Sequence, residues 1–158
     1  MIFEHFLVSL PVWISIAKPV DLSSTWLGNP GSFCTDGNIV SECSTDLAVT
    51  KKLQHVTVDL ESMFHIEGLE IVVTNLAIKN RFRNVKIFIY NQTIFSQQAA
   101  LQCDSIATEP VWSPYNGLNL YKSSNCTNLI GQFIRIEMTG LHNDAYLQMF
   151  EVMAYGQG

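Results

Sequence analysis

The sequence predicts an all-β fold, a β-sandwich or jelly roll of antiparallel strands. Three observations carry that expectation. Apolar residues recur with a period of two in short runs, and turn residues separate the runs. No segment shows a sustained helical stripe with capping signals at both ends. Charged residues make up only 15% of the 158, which favours an ordered chain over a disordered one. A chain of this length buries one core and is too short for two ordinary domains.

The N-terminal MIFEHFLVSLPVWISIAKP reads as a secretory leader. The apolar run Phe6 to Ala17 has a suitable length, and Ser15 and Ala17 put small residues where a signal peptidase reads. A leader over 1–17, cut after Ala17, leaves a single domain over 18–158. Glu4 and His5 stand where a positive charge is usual. Pro11 interrupts the run, which is shorter than the roughly 20 apolar residues of a transmembrane helix. The alternative is a buried N-terminal strand.

Next comes the loop CTDGNIVSEC, from Cys34 to Cys43, in which an Asp-Gly-Asn turn lies between two cysteines. The triplet is turn chemistry and also a source of oxygen ligands. Strand signals follow. Val56, Val58 and Leu60 alternate with Thr57 and Asp59. Leu69, Ile71 and Val73 form a second run, and Val85, Ile87 and Ile89 a third, with Lys86 on the other face. Gln92 to Asn128 is rich in Gln, Ser, Asn and Pro, its strand signals are faint, and it is expected to be a long polar loop. Ile134, Ile136 and Met138 then alternate with Arg135 and Glu137, and Phe150, Val152 and Ala154 end the chain. One apolar and one polar face is the mark of antiparallel strands over a shared core.

The four cysteines allow three pairings, and none falls in a Cys-x-x-Cys spacing. Local proximity favours Cys34–Cys43 across the turn and Cys103–Cys126 around the polar segment, where a loop of about 24 residues gains roughly 3 kcal/mol from closure. Asn91-Gln92-Thr93 and Asn125-Cys126-Thr127 are acceptor sequons for N-glycosylation at Asn91 and Asn125. Leader, cysteines and sequons together point to a secreted, extracellular chain.

The order of motifs resembles the F-type lectin (fucolectin) family, relatives of the discoidin or coagulation-factor type C domains. Thr35-Asp36-Gly37-Asn38 comes first, then Cys43, Val58-Asp59-Leu60 and Asn84-Val85-Lys86-Ile87. Gly131-Gln132-Phe133-Ile134-Arg135-Ile136 is similar to the family's Gly-Arg-Tyr-Val strand, and Phe150-Glu151-Val152 to its closing Cys-Glu-Val strand. The resemblance runs from about Gly28 to Gly156 and implies an eight-stranded jelly roll of the galactose-binding-like type. It also implies that Cys103 and Cys126 pair around the penultimate long loop. The family partner of Cys43 lies in the closing strand, where Phe150 stands here, so the resemblance leaves Cys34 as its partner.

The resemblance further implies calcium at the stapled loop. Asp36, Asn38 through its carbonyl, Glu42 in the place of a serine, and Glu151 occupy the ligand positions. Calcium takes 6–8 oxygens at roughly 2.3–2.6 Å, which a tight turn of main-chain carbonyls helps to supply. A plain turn is the alternative reading of Asp-Gly-Asn. For the sugar, the family uses one His and two basic residues. Thr45 stands at the His position, Leu76 at the first basic position, and Arg81 at the second, with Lys79 near it. A charged hydrogen bond nets roughly 1.5–3 kcal/mol, against about 4–8 for a millimolar to micromolar lectin. Losing two donors removes most of that, so the fucose site is expected to be lost or altered. Lys79, Arg83, Trp26, Trp112 and Tyr115 offer a different glycan surface, although core or loop packing is the plainer reading of the aromatic residues.

A net charge of −5 gives no footprint for nucleic acid. Catalysis is not expected either, since His55, His65 and His142 show no ligand spacing and no nucleophile elbow or phosphate loop occurs. The expected partners are a glycan or glycoprotein, or, for an adhesion or receptor module, a protein or lipid surface.

Overall fold

The structure, a computed structural model, describes residues 11–46, 53–73, 82–139 and 146–158. It is built almost wholly of antiparallel strands: β1 (Val12–Trp13), β2 (Val20–Leu22), β3 (Cys43–Ser44), β4 (Leu53–Val73), β5 (Val85–Tyr90), β6 (Leu101–Ile106), β7 (Ser113–Tyr115), β8 (Leu118–Ser123), β9 (Leu129–Thr139), β10 (Gln148–Met149) and β11 (Glu151–Gln157). A short 3-10 turn, Gly31–Cys34, is the one helical element among the described residues.

Strand β4 organises the molecule. Its first part pairs with β2 and β9, and β9 continues the layer through β5 to β6. Its last part pairs with β11 and β8, which bring in β1 and β7. Between the two parts the register with β9 shifts, from Asp59 to Phe64. Glu61 sits there at φ 66, and the Asp59 carboxylate accepts its N–H at 2.7 Å. One chain segment therefore serves both layers, bending where an Asx contact holds a left-handed residue. The sequence reading has separate strands at 56–60 and 69–73; the structure joins them.

Between the layers lie the alternating residues of four strands: Val56, Val58 and Leu60 of β4, Val85, Ile87 and Ile89 of β5, Ile134, Ile136 and Met138 of β9, and Val152 and Ala154 of β11. The expected apolar faces are used except at Phe150, which packs in a separate cluster with Val72, Leu120 and Met153. The described residues form eleven strand segments, five of them only two or three residues long, beside the eight strands expected for the chain.

One expectation changes at the level of elements. The segment 92–128 is not one long loop, because it contributes β6, β7 and β8. Its strands were hidden because polar side chains hold them. Asp104 of β6 is buried, and its carboxylate accepts the hydroxyls of Tyr121 and Ser123 from β8. The Cys103–Cys126 disulfide closes the same region. At the N-terminus, residues read as the end of a leader lie in the sheet. Val12 and Trp13 pair with Gly156 and Tyr155, and the Ala154 carbonyl accepts the Ile14 N–H at 2.8 Å. Ser15 is fully buried, donating to the Val152 carbonyl and accepting the Ala154 N–H, both at 2.8 Å. Val12 itself is exposed, and Ile14 and Ser15 are the buried residues of this stretch.

Candidate functional site

The candidate site forms where the loop after the 3-10 turn meets the first residue of β11. Cys34 and Cys43 are bonded, with Cα atoms 5.3 Å apart, and both are fully buried. The staple closes a loop whose interior is held by its own polar groups. Asp36 Oδ1 accepts the Asn38 N–H at 2.8 Å and Oδ2 accepts the Ser41 hydroxyl at 2.7 Å. Asn38 Oδ1 accepts the Val40 N–H at 3.1 Å, and the Asn38 carbonyl accepts Ser41 Oγ at 3.0 Å. Gly37 turns the chain at φ +76, a conformation a side chain strains to adopt. A Cβ there would also stand 3.3 Å from Ile16.

That turn exposes the Gly37 N–H to the last strand, and Glu151 Oε2 accepts it at 3.0 Å. Residues 114 positions apart thus meet through one hydrogen bond. Glu151 is fully buried, and its second oxygen, Oε1, is buried with no partner. Burial pushes the carboxyl up to about 8, the charge of Asp36 adds to the rise, and the Gly37 and Asn38 N–H groups oppose it. Two carboxyls facing one turn, one of them buried with a bare oxygen, make a place where a cation relieves both desolvation and repulsion.

Glu42 is elsewhere. Its Oε1 accepts Asn29 Nδ2 at 3.1 Å and its Oε2 accepts Gln148 Nε2 at 2.6 Å, so it braces the staple against β2's outgoing segment and β10. Among the described residues no three His, Cys, Asp or Glu side chains cluster in a metal-holding arrangement. The expected ligand Glu42 is thus bonded to Asn29 and Gln148. Thr45, expected to face a ligand, is fully buried. Its hydroxyl is hydrogen-bonded to Gln54 Oε1 and accepts the Leu147 N–H at 3.0 Å. The placement follows from the pairing of β3 with β10, which draws the chain after Cys43 inward. Lys79 and Arg81 lie outside the described residues.

Of the aromatic candidates, Trp112 stacks at an angle with Phe82 and Tyr121, and Tyr115 packs with Val72, Leu120 and Met153. Trp26 is 46% exposed. Asn91 and Asn125 are exposed. Phe150, where the family cysteine would stand, packs against the same outer cluster of Val72, Leu120 and Met153. The sequence reading missed Asn29, Gln54 and Gln148, which hold Glu42 and Thr45. Nothing in a lone amide residue distinguishes it until the strands are placed.

No protein-family model matches the chain, and no curated protein matches it. Solved structures do. An F-lectin (fucolectin) from the serum of striped bass, Morone saxatilis, superposes with a TM-score of 0.76 at 17% identity, over 94% of this chain and 49% of the other. The chain therefore spans about half the length of that lectin. A fucose-binding module of Streptococcus pneumoniae matches at 0.70 with 21% identity, over 93% of this chain and 99% of the module. A chitosan-binding module from a Paenibacillus chitosanase/glucanase matches at 0.70 with 15% identity, over 92% and 99%. The matched parts are binding modules, one of them derived from an enzyme. The chain has the β-sandwich fold shared by F-type lectins and related carbohydrate-binding modules.

Proposed function

We propose that this chain is a non-catalytic, extracellular glycan-recognition domain whose stapled loop is stabilised by calcium and whose specificity has moved away from fucose. The observation that carries the reading is the superposition of nearly the whole chain on sugar-binding modules. Two disulfides support an oxidising compartment, and the exposed Asn91 and Asn125 are open to N-glycosylation.

Calcium would be held by Asp36, Glu151 and main-chain oxygens of the turn, among them that of Asn38. The fit rests on the unpartnered, buried Oε1 of Glu151 opposite the Asp36 charge. When bound, the ion supplies positive charge that keeps Glu151 ionised and ties the loop to β11. The loop is already cross-linked and bonded within itself, so the ion's effect is to fix one end of the sandwich as a rigid base. The burial of Thr45 supports the loss of the fucose arrangement, since that side chain has no polar group left to offer a sugar.

An array of glycans probed with and without calcium tests the reading. Saturable, sugar-competable binding is expected. A blank array would sink the lectin function and leave the second reading, an adhesion module for a protein or lipid surface. Leu27, 91% exposed, and Val40, 83% exposed, favour that reading, because both border the segments joined by the Asn29–Glu42 contact. Mass spectrometry of the exported N-terminus bears on processing: a start at Lys18 follows from the leader reading and removes β1, whereas a start before Val12 retains it.

A further inference from the structure

A second concavity lies away from the stapled loop, on the outer face of the β2–β4–β9–β5 layer. It encloses about 480 Å³, within the range of small-ligand sites. Its floor is apolar. Tyr90 and Phe133 stack with centroids 5.0 Å apart at 18°, and Phe95 meets Tyr90 edge-on at 5.2 Å. Tyr90 and Phe133 come from outward positions next to the core residues Ile89 and Ile134, and Phe95 comes from the segment that follows β5. Its rim is acidic. Asp21, from the edge strand β2, is exposed, and Asp59 is anchored by the Glu61 N–H at 2.7 Å and Gln132 Nε2 at 2.9 Å. Among the described residues no Lys or Arg pairs with either carboxylate. The cation in the groove, Arg135, lies 4.1 Å over the Phe95 ring and is bonded to Glu137 at 2.7 Å, which neutralises it.

We propose that this groove binds a pyranose of neutral or amino-bearing type and rejects acidic sugars. A sugar ring has an apolar C–H face and a rim of hydroxyl or ammonium donors. An aromatic floor beneath two acceptor carboxylates is complementary to both parts. Sialic acids and sulfated sugars carry anions that Asp21 and Asp59 repel. The inference rests on the glycan-recognition reading and gives it a location separate from Thr45, which does not line the groove.

The test is calorimetric titration of the full chain with a β-1,4-linked glucosamine tetramer, its N-acetylated counterpart, a sialylated oligosaccharide and spermine. The two glucosamine-type tetramers bind, the free amine more tightly, and the sialylated sugar does not. Spermine, which has no ring face, binds far more weakly. Asp21→Asn with Asp59→Asn retains the acceptor oxygen used by Glu61 and Gln132. It weakens the amino tetramer by about tenfold to a hundredfold, the scale of lost charged hydrogen bonds, without lowering Tm. Phe95→Ala weakens both tetramers. Unchanged affinity in these variants, or spermine binding as well as the tetramer, overturns the groove while leaving glycan recognition standing. If no sugar binds here or on the broad array, both fall.

Discussion

Replacing Glu151 by Gln should change how the chelated protein's stability depends on pH. In the fold this carboxyl is pushed up to about 8, first by burial and then by Asp36, from an ordinary value of 4.5. Between these values the folded chain holds a proton that the unfolded chain has released. Stability from this group is therefore complete below about pH 4.5 and is lost as pH rises toward 8. At about 1.4 kcal/mol per pH unit, the interval corresponds to at most about 5 kcal/mol. For a domain of this size, about 2–4 °C accompanies each kcal/mol. Thermal melts in chelator from pH 5 to 8 should show Tm falling by at least about 5 °C in the wild type and much less in Glu151→Gln. The phenols of Tyr90, Tyr121 and Tyr155 are raised above 10, outside the window. Parallel profiles for the two proteins would refute the placement of a buried, half-partnered carboxyl at the loop.

Calcium at about 100 times its dissociation constant should add about 2.7 kcal/mol at pH 8, read as a rise in Tm over chelator, and Glu151→Gln should abolish it. Converting Cys103 and Cys126 to Ala should cost about 3 kcal/mol in chemical denaturation, from the loop they close. Asp104→Ala leaves the Tyr121 and Ser123 hydroxyls without their acceptor and should cost about 3 kcal/mol by the same assay, whereas Asp104→Asn should cost less. Secreted protein treated with an N-glycosidase should drop in mass at both Asn91 and Asn125, as peptide mapping would show.

Much of the architecture was legible in the chain because alternation is a local property. A period of two marks which side of a strand faces inward, and Val56, Val85, Ile134 and Val152 all proved to face the core. The nearest cysteine partners were legible for a similar reason, as each pair brackets one compact segment. The strands around Asp104 were not, since their inward group is a carboxylate satisfied only by hydroxyls from another strand. The fusion of two apolar runs into β4 was hidden as well. No local signal distinguishes a bend held by Asp59 from a loop.

At the site the division is sharper. Sequence alone determined that an Asp-Gly-Asn turn lies between two cysteines and that an acidic residue opens the last strand. The family resemblance put Glu151 at the stapled loop, but only the tertiary structure decided that it accepts the Gly37 N–H, that Glu42 turns to Asn29 and Gln148, and that Thr45 is buried. The acidic groove over Tyr90 and Phe133 belongs to the same class, since its walls come from four strands far apart in the chain. Propensity and periodicity act within a few residues, whereas which polar side chains meet is fixed by strand order and register, set by burying the whole core at once.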